Sequence, residues 1–237
     1  MRNGTPRALL FDVFGTLVDW RGSLTTDLTG FGRERELAAD WPGLVDAWRA
    51  AYAPAMDRVR SGARPWANLD VLHAESLGEL LPRFGLGALG AGERAWLVDR
   101  WHRLRPWPEV PAALARLRID RVCATLSNGS VALLIDLARG GGLGFDTIFS
   151  AEHFRTYKPD AETYLGATAL LGLAPHEVTL VASHPADLAA ARSHGLGTAL
   201  VLRPLEYGPG RPPGPIDEGA VDLIVRDLAE LAERLTG

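Results

Sequence analysis

Near the start of the chain, residues 7–12 read Arg-Ala-Leu-Leu-Phe-Asp, and Phe14-Gly15-Thr16 follow at once. A short apolar run closed by a turn is the pattern of a strand buried on both faces, as parallel sheets require. In open α/β sheets, ligand chemistry gathers at the carboxyl ends of the strands. Asp12 therefore falls at the mouth of a potential site. An Asp in that place also suits a turn cap, and this stretch alone leaves both readings open.

The rest of the chain divides in two. From about Ser23 to Asp40 apolar residues recur at helical spacing, interrupted by Gly30 and Gly32. Gly43 to Val59 carries Leu44, Ala47, Trp48, Ala51, Tyr52 and Met56 on one helical stripe, with Pro54 expected to kink or split it. Asn68 suits the N-cap of a helix running to about Leu81, and a further helix spans Glu93 to Leu104 after a Gly-rich break. No strand is expected in this block. Trp107-Pro108-Glu109-Val110-Pro111 marks a boundary, because prolines stop one helix and start the next. Beyond it, strands at 122–126, 147–149, 178–182, 198–201 and 223–225 alternate with helices at 112–117, 131–139, 161–171, 187–194 and 228–235. Tyr207 to Pro215 reads as a Gly/Pro-rich surface loop.

Such alternation predicts an α/β fold: a doubly wound, Rossmann-like parallel sheet with helices on both faces. The core is expected over 1–18 and 109–237, with a helical cap inserted at 19–108. The 237 residues suit one core carrying such an insertion.

Composition narrows the partners. A net charge of −4 offers no electrostatic footprint for nucleic acid or for an anionic membrane. No apolar run reaches the roughly 18–20 residues that span a bilayer, and the N-terminal pattern is not that of a signal peptide. The single cysteine, Cys123, lies in a strand-like run and reads as a small core residue, which fits a reducing, cytoplasmic setting. One count is sharper. Of 25 Lys and Arg residues, only Lys158 is a lysine. A chain that otherwise uses Arg throughout keeps Lys where a compact point charge is needed and a planar fork is not.

Polar residues collect beyond three of the expected strands: Asp12, Phe14 and Thr16; Ser127 and Asn128; Ser183, His184 and Asp187. Lys158-Pro159-Asp160 lies between the last two groups. A carboxylate, a hydroxyl and an ammonium converging on one cleft can orient an Asp nucleophile and offset its charge.

With Asp12-Val-Phe-Gly-Thr16, Leu126-Ser-Asn-Gly129, Lys158-Pro-Asp160 and the run ending at Asp187, the chain resembles the haloacid dehalogenase superfamily across most of its core. Many members are Mg²⁺-dependent phosphatases with a second Asp two residues after the nucleophile as general acid. Here that place is Phe14, which has no proton to donate, and the first of the paired acidic places in the last motif is Ser183. A halide leaves as a stable anion and needs no such acid.

The chain is also similar to the type II, or (S)-2-haloacid, dehalogenases through Phe11 to Arg21, the Trp48-Arg49 pair, Ser127-Asn-Gly-Ser130 and Tyr164. That resemblance implies a metal-independent, cofactor-free hydrolysis of a small haloacid. Asp12 displaces halide to form an aspartyl ester, which water then opens. Thr16 and Lys158 would orient and balance Asp12. Ser127 and the backbone near Phe14 and Asn128 would hold the substrate carboxylate, and Arg49 with Asn128 would take the halide. Asp187, with His184 beside it, would position or activate water, supported by Ser183 and Tyr164.

Departures stand out at Ala182, His184 and Ala186, where many relatives have Ser, Asn and Trp; the last change implies a more open pocket. His184 faces the cleft and imidazole can relay protons near neutral pH. The other five histidines read as surface or structural, and Trp48, Trp66, Trp96 and Trp101 as cap core. The tryptophan-rich cap allows a homodimer. Two other activities remain open at this point: a Mg²⁺-dependent phosphatase of the same superfamily, or a non-catalytic binding member.

Overall fold

The run from Ala8 to Phe11 forms the strand its composition predicts, β1, with all four side chains fully buried. The computed structural model describes residues 5–211 and 217–236. The expected loop from Tyr207 to Pro215 is described as far as Arg211, and its remainder lies outside the described residues. After β1 come a two-residue strand β2 (Val18–Asp19) and helices α1 (Trp20–Glu34), α2 (Trp41–Arg60), α3 (Leu69–Leu80) and α4 (Ala91–Asp99). Strand β3 (Arg105–Pro106) leads to α5 (Val110–Leu117), β4 (Val122–Ser127), α6 (Val131–Gly140), β5 (Thr147–Ser150) and α7 (Ala151–Phe154). Then follow α8 (Ala161–Leu170), β6 (Val178–Ala182), α9 (Pro185–Ser193), β7 (Gly197–Val201), β8 (Leu223–Val225) and α10 (Leu228–Thr236).

Six strands form one parallel sheet in the order β5-β4-β1-β6-β7-β8. Alternate residues of β1 serve opposite faces, as the period of a strand demands. Leu9 and Phe11 pack in a cluster with Leu114 of α5, Leu134 of α6 and Leu231 of α10. Ala8 and Leu10 pack in another with Ala167 of α8 and Leu188 of α9. Each fully buried Leu or Phe contributes about 1.5–3 kcal/mol over its exposed state, so both faces hold the sheet. The fold is the doubly wound α/β arrangement, with a helical insertion between β2 and β3. Because β4 and β6 flank β1, the ends of three motif-bearing strands lie side by side.

The insertion differs from its sequence reading in five respects. Gly30 and Gly32 do not interrupt α1, which ends at Glu34; a Cβ on Gly32 would lie 2.2 Å from Trp41 Nε1, so its bareness lets α2 approach. Asp40 belongs to the next element, its Oδ1 accepting from Gly43 N at 2.9 Å as the N-cap of α2. Pro54 does not split α2. Its ring is exposed, while Leu44, Val45 and Trp48 before it and Ala55, Met56 and Val59 after it bury one continuous face. Packing thus spans the missing hydrogen bond. Finally, the block is not free of strand: Val18–Asp19 pairs antiparallel with Arg105–Pro106 where the chain leaves and re-enters the sheet. Two residues carry too little pattern to be read. The helix expected to reach Leu104 stops at Asp99 and continues as a 3₁₀ turn over Arg100–Arg103.

The tryptophans fill the insertion, as expected. Trp48 and Trp101 are fully buried, edge to face at 5.6 Å, Trp96 stacks on Phe31, and Trp66 lies against Tyr157. Cys123 is buried in β4, and burial pushes its thiol up to about 12, so it is an inert core residue.

Candidate active site

Each motif ends where a strand of the parallel sheet stops. Asp12 follows β1 and is held by a backbone bond from its N–H to Val181 O at 3.0 Å. The chain then turns through Gly15, whose φ of +82° favours glycine; a Cβ there would stand 2.2 Å from Glu206 Oε1. That turn brings Thr16 back to donate to Asp12 Oδ2 at 2.8 Å. Thr16 Oγ1 in turn accepts from Ser183 N at 2.8 Å, which ties the loops after β1 and β6 together.

Lys158 lies between two carboxylates. Its Nζ donates to Asp12 Oδ1 at 3.0 Å and to Asp187 Oδ2, whose other oxygen accepts from Tyr164 at 2.6 Å. Its backbone N–H donates to Asn128 Oδ1 at 2.8 Å, which locks the second motif to the third. A chain of contacts also runs the other way from Asp12. His184 Nδ1 is 3.2 Å from Asp12 Oδ2, and its Nε2 is 2.9 Å from Glu206 Oε1. Trp20 Nε1 donates to that same Glu206 oxygen at 3.2 Å.

The charges follow from these contacts. Burial pushes the Asp12 carboxyl up, but the Lys158 ammonium and His184 outweigh it and hold Asp12 well below the usual carboxylate range. Burial likewise works against charge on Lys158, and Asp12 with Asp187 reverses this, raising it above an ordinary lysine. For His184, burial would favour the neutral ring, yet its contacts with Asp12 and Glu206 carry it up to about 10. Both ring nitrogens of His184 thus face carboxylates, a geometry that favours the charged imidazolium over the neutral ring. Burial pushes the Tyr52 hydroxyl up to about 12.

A cavity of about 160 Å³ opens in front of Asp12. Phe14, Asn128, Lys158, His184 and Asp187 line it from the core, Arg49 and Tyr52 from α2, and Tyr164 from α8. Ala186 also lines it, whereas Ala182 packs in the core. Arg49 stacks its guanidinium over Tyr52 at 4.5 Å and Trp20 at 5.5 Å. It makes no ion pair among the described residues, and its Nε is buried without a partner.

Thr16, Ser127 and Ser183 stand behind the cavity wall. Ser127 is fully buried, and its Oγ accepts from Gly129 N at 3.1 Å. No three His, Cys, Asp or Glu side chains converge as a metal site among the described residues. Lys158, a cation of the chain itself, takes up one oxygen each of Asp12 and Asp187, so the donor set does not resemble the all-oxygen shell that Mg²⁺ requires.

Two residues of the site were missed in the sequence. Tyr52 belongs by its spacing to an apolar stripe, but it sits three residues after Arg49, so the two share a helix face. Glu206 lies beyond β7 and was not singled out, although the rule that marked Asp12 covers that strand end too. The other histidines lie on the surface or in structural contacts. His73 stacks on Trp101 at 4.0 Å, and burial brings it down to about 3, so it is neutral. His102 bridges Asp70 of α3 at 3.3 Å and Asp136 of α6 at 2.8 Å.

Comparison with known proteins places these features in context. Residues 6–195 match the family model of haloacid dehalogenase-like hydrolases. The (S)-2-haloacid dehalogenase of Pseudomonas sp. (strain YL) is 32% identical over 83% of either chain. The crystal structure of an L-2-haloacid dehalogenase superposes with a TM-score of 0.93 at 49% identity, covering 97% of this chain and 98% of the other. The Xanthobacter autotrophicus L-2-haloacid dehalogenase, solved with chloropropionic acid covalently bound, gives 0.81 at 26% identity over 98% of this chain and 99% of its own.

Proposed function

The chain belongs to the haloacid dehalogenase-like hydrolases, and within them we propose that it hydrolyses short 2-haloalkanoic acids to 2-hydroxy acids without a metal. The reading is carried by one observation: Asp12, held by Lys158 and Thr16, faces a small cavity in which the residue two places on is the ring of Phe14, not an acid. At about 160 Å³ the cavity is well below the roughly 300–1,000 Å³ of drug-sized sites, which suits an acid of a few carbons.

In this reading Asp12 Oδ1 attacks the halogen-bearing carbon, a C–O bond forms, and the C–X pair leaves as halide. Asp12 Oδ2 has two donors around it, Thr16 and His184, while Oδ1 has Lys158 alone and keeps a lone pair for attack. Arg49, unpaired over aromatic faces, and Asn128 receive the halide. The backbone N–H groups near Phe14 and Asn128 serve the substrate carboxylate; Ser127, expected to join them, is buried behind the wall and holds their loop through Gly129 N, with Ser183 and Tyr164 in support. Water then attacks Asp12 Cγ, giving a proton to Asp187, and collapse releases the 2-hydroxy acid. Residues 1–18 and 109–237 act as the catalytic core and 19–108 as the cap that completes the cavity. The single buried Cys123 suits a reducing, cytoplasmic setting.

The experiment is halide release from both enantiomers of 2-chloropropionate, with a chelator present and with Asp12→Asn in parallel. Chelator-insensitive release that Asp12→Asn abolishes is expected. Phosphate-ester hydrolysis that requires Mg²⁺, with no halide release, would overturn the reading and favour a phosphatase; inactivity on both panels would favour a binding protein.

A further inference from the structure

Glu206 is almost wholly buried, its side chain 4% exposed, and it lies against the nucleophile loop: only the bareness of Gly15 makes room for its carboxylate. Three groups converge on it. His184 Nε2 and Trp20 Nε1 meet Oε1 at 2.9 and 3.2 Å, and Ser183 Oγ donates to Oε2 at 3.4 Å. A carboxylate buried this deeply, beside another at Asp12, is costly unless a cation is shared between them. His184 is that cation. A carboxylate only accepts, so a ring with one nitrogen 3.2 Å from Asp12 and the other 2.9 Å from Glu206 satisfies both when both nitrogens carry protons.

We propose that Glu206 is a positioning residue: it keeps His184 doubly protonated and aimed at Asp12 Oδ2, so that His184 and Thr16 form the oxyanion pair for opening the aspartyl ester. The inference rests on the dehalogenase reading and deepens it. Once Oδ1 is esterified, Oδ2 is the carbonyl oxygen, and it already lies between Thr16 Oγ1 at 2.8 Å and His184 Nδ1 at 3.2 Å. Attack of water on Cγ forms the new C–O bond and moves the carbonyl π pair onto Oδ2. One water proton passes to Asp187. Collapse restores C=Oδ2 and breaks Cγ–Oδ1, the alkoxide takes a proton, and the remaining proton leaves to solvent as Asp12 returns to a carboxylate. Donors fixed where charge develops act without reorganisation at the moment of reaction. His184 gives up no proton in this scheme, which leaves Asp187 as the base.

Other charged groups also face this cluster. Lys158 and Asp187 lie beyond Asp12, Arg49 approaches from α2, the buried Arg203 and half-buried Asp19 act on Glu206 through space, and the Tyr207 hydroxyl lies beside it. A pH profile must therefore be read against a nitrogen-specific measurement. The full-length protein, ¹⁵N-labelled in its histidines, tests the ground state directly, with His184→Asn to assign the signal. Both His184 nitrogens should carry protons at neutral pH, and a neutral tautomer would overturn the proposal whether or not any variant folds.

The kinetic test is rapid acid quench during turnover of 2-chloropropionate, read by intact mass and by halide release. In Glu206→Gln the first halide equivalent should appear within a few-fold of the unaltered rate. Steady turnover should then fall roughly 10- to 100-fold, less than the roughly 100- to 1,000-fold of a deleted oxyanion donor because the imidazole itself remains, with the ester accumulating. The alkaline limb of kcat should move to lower pH. Parallel loss of burst and turnover with no ester, or an unmoved alkaline limb, would refute the assignment. Absence of halide and adduct from the unaltered protein would instead overturn the dehalogenase reading, while the histidine spectrum would still report on the Glu206–His184 pair.

Discussion

Replacing Lys158 with Met keeps the unbranched stem but for its terminal nitrogen and removes its charge from between two buried carboxylates. Across the 3.0 Å contact to Asp12, Coulomb attraction at an effective dielectric of about 20 amounts to about 5.5 kcal/mol. Water entering the vacated space and the remaining His184 and Thr16 contacts recover part of this. A net loss of about half corresponds to roughly two pH units in the ionisation of Asp12. The sign is fixed by the direction of its displacement. A carboxyl held below its ordinary value near 3.8 contributes stability that is present above that value and lost as pH falls through the folded one. Without Lys158 both the loss of stability and the protonation of the nucleophile begin at higher pH. The acid limb of kcat/KM for halide release from 2-chloropropionate should rise by about two pH units, since that limb reports the free protein's essential base. Removing one partner of a buried pair costs about 3–5 kcal/mol, which lowers the melting temperature at neutral pH by roughly 10 °C. Lys158→Arg should not return the acid limb to its original position, because a planar fork cannot sit as a point charge between the two carboxylates. An acid limb that stays in place, or a melting temperature unchanged in Lys158→Met, would refute the argument that this ammonium keeps Asp12 ionised.

Gly15→Ala should destabilise by about 2 kcal/mol or more in chemical denaturation, because it combines a positive φ with a Cβ at 2.2 Å from Glu206. Wild-type stability there would show that the Glu206 carboxylate can move aside freely. Tyr164→Phe removes the 2.6 Å bond to Asp187, and since bonds to charged groups are worth about 1.5–3 kcal/mol, kcat should fall roughly 10- to 100-fold with little change in KM. A change confined to KM would contradict a role on Asp187. His102 is raised above its ordinary 6.5 by its bond to Asp70 and, against burial, by Asp136. Its contribution is thus full below pH 6.5 and fades as pH rises through the raised value. His102→Gln should remove part of the decline in melting temperature over that window, and an identical decline would disprove the bridge between α3 and α6.

The strands and the site on them were legible because each buried strand is a short apolar run closed by polar turn residues. Asp12, Asn128 and Asp187 follow from that pattern, and Lys158 from its isolation among arginines. The limits of α1 and α2 were not, since Asp40 reads equally well as helix end or as cap, and the continuity of α2 through Pro54 depends on a face packed at both ends. The ribbon of Val18–Asp19 with Arg105–Pro106 spans two residues a side, too few for a period to register. Glu206 sits in an aperiodic loop, and its partners His184 and Trp20 lie 22 and 186 residues away, so its meaning exists only in the fold.

The interleaving of Lys158, His184 and Arg49 with Asp12, Asp187 and Glu206 has an electrical consequence for the proposed cycle. Counted formally, three cations offset three anions, so the empty cavity is neutral. A haloacid arrives as a monoanion and makes the occupied cavity negative. Esterification cancels the charge of Asp12 while creating a halide, and neutrality returns only when that halide departs. The covalent intermediate, stripped of its leaving group, is the electroneutral occupied state. Departure of the halide into solvent thus restores the charge balance that the entry of the substrate had upset.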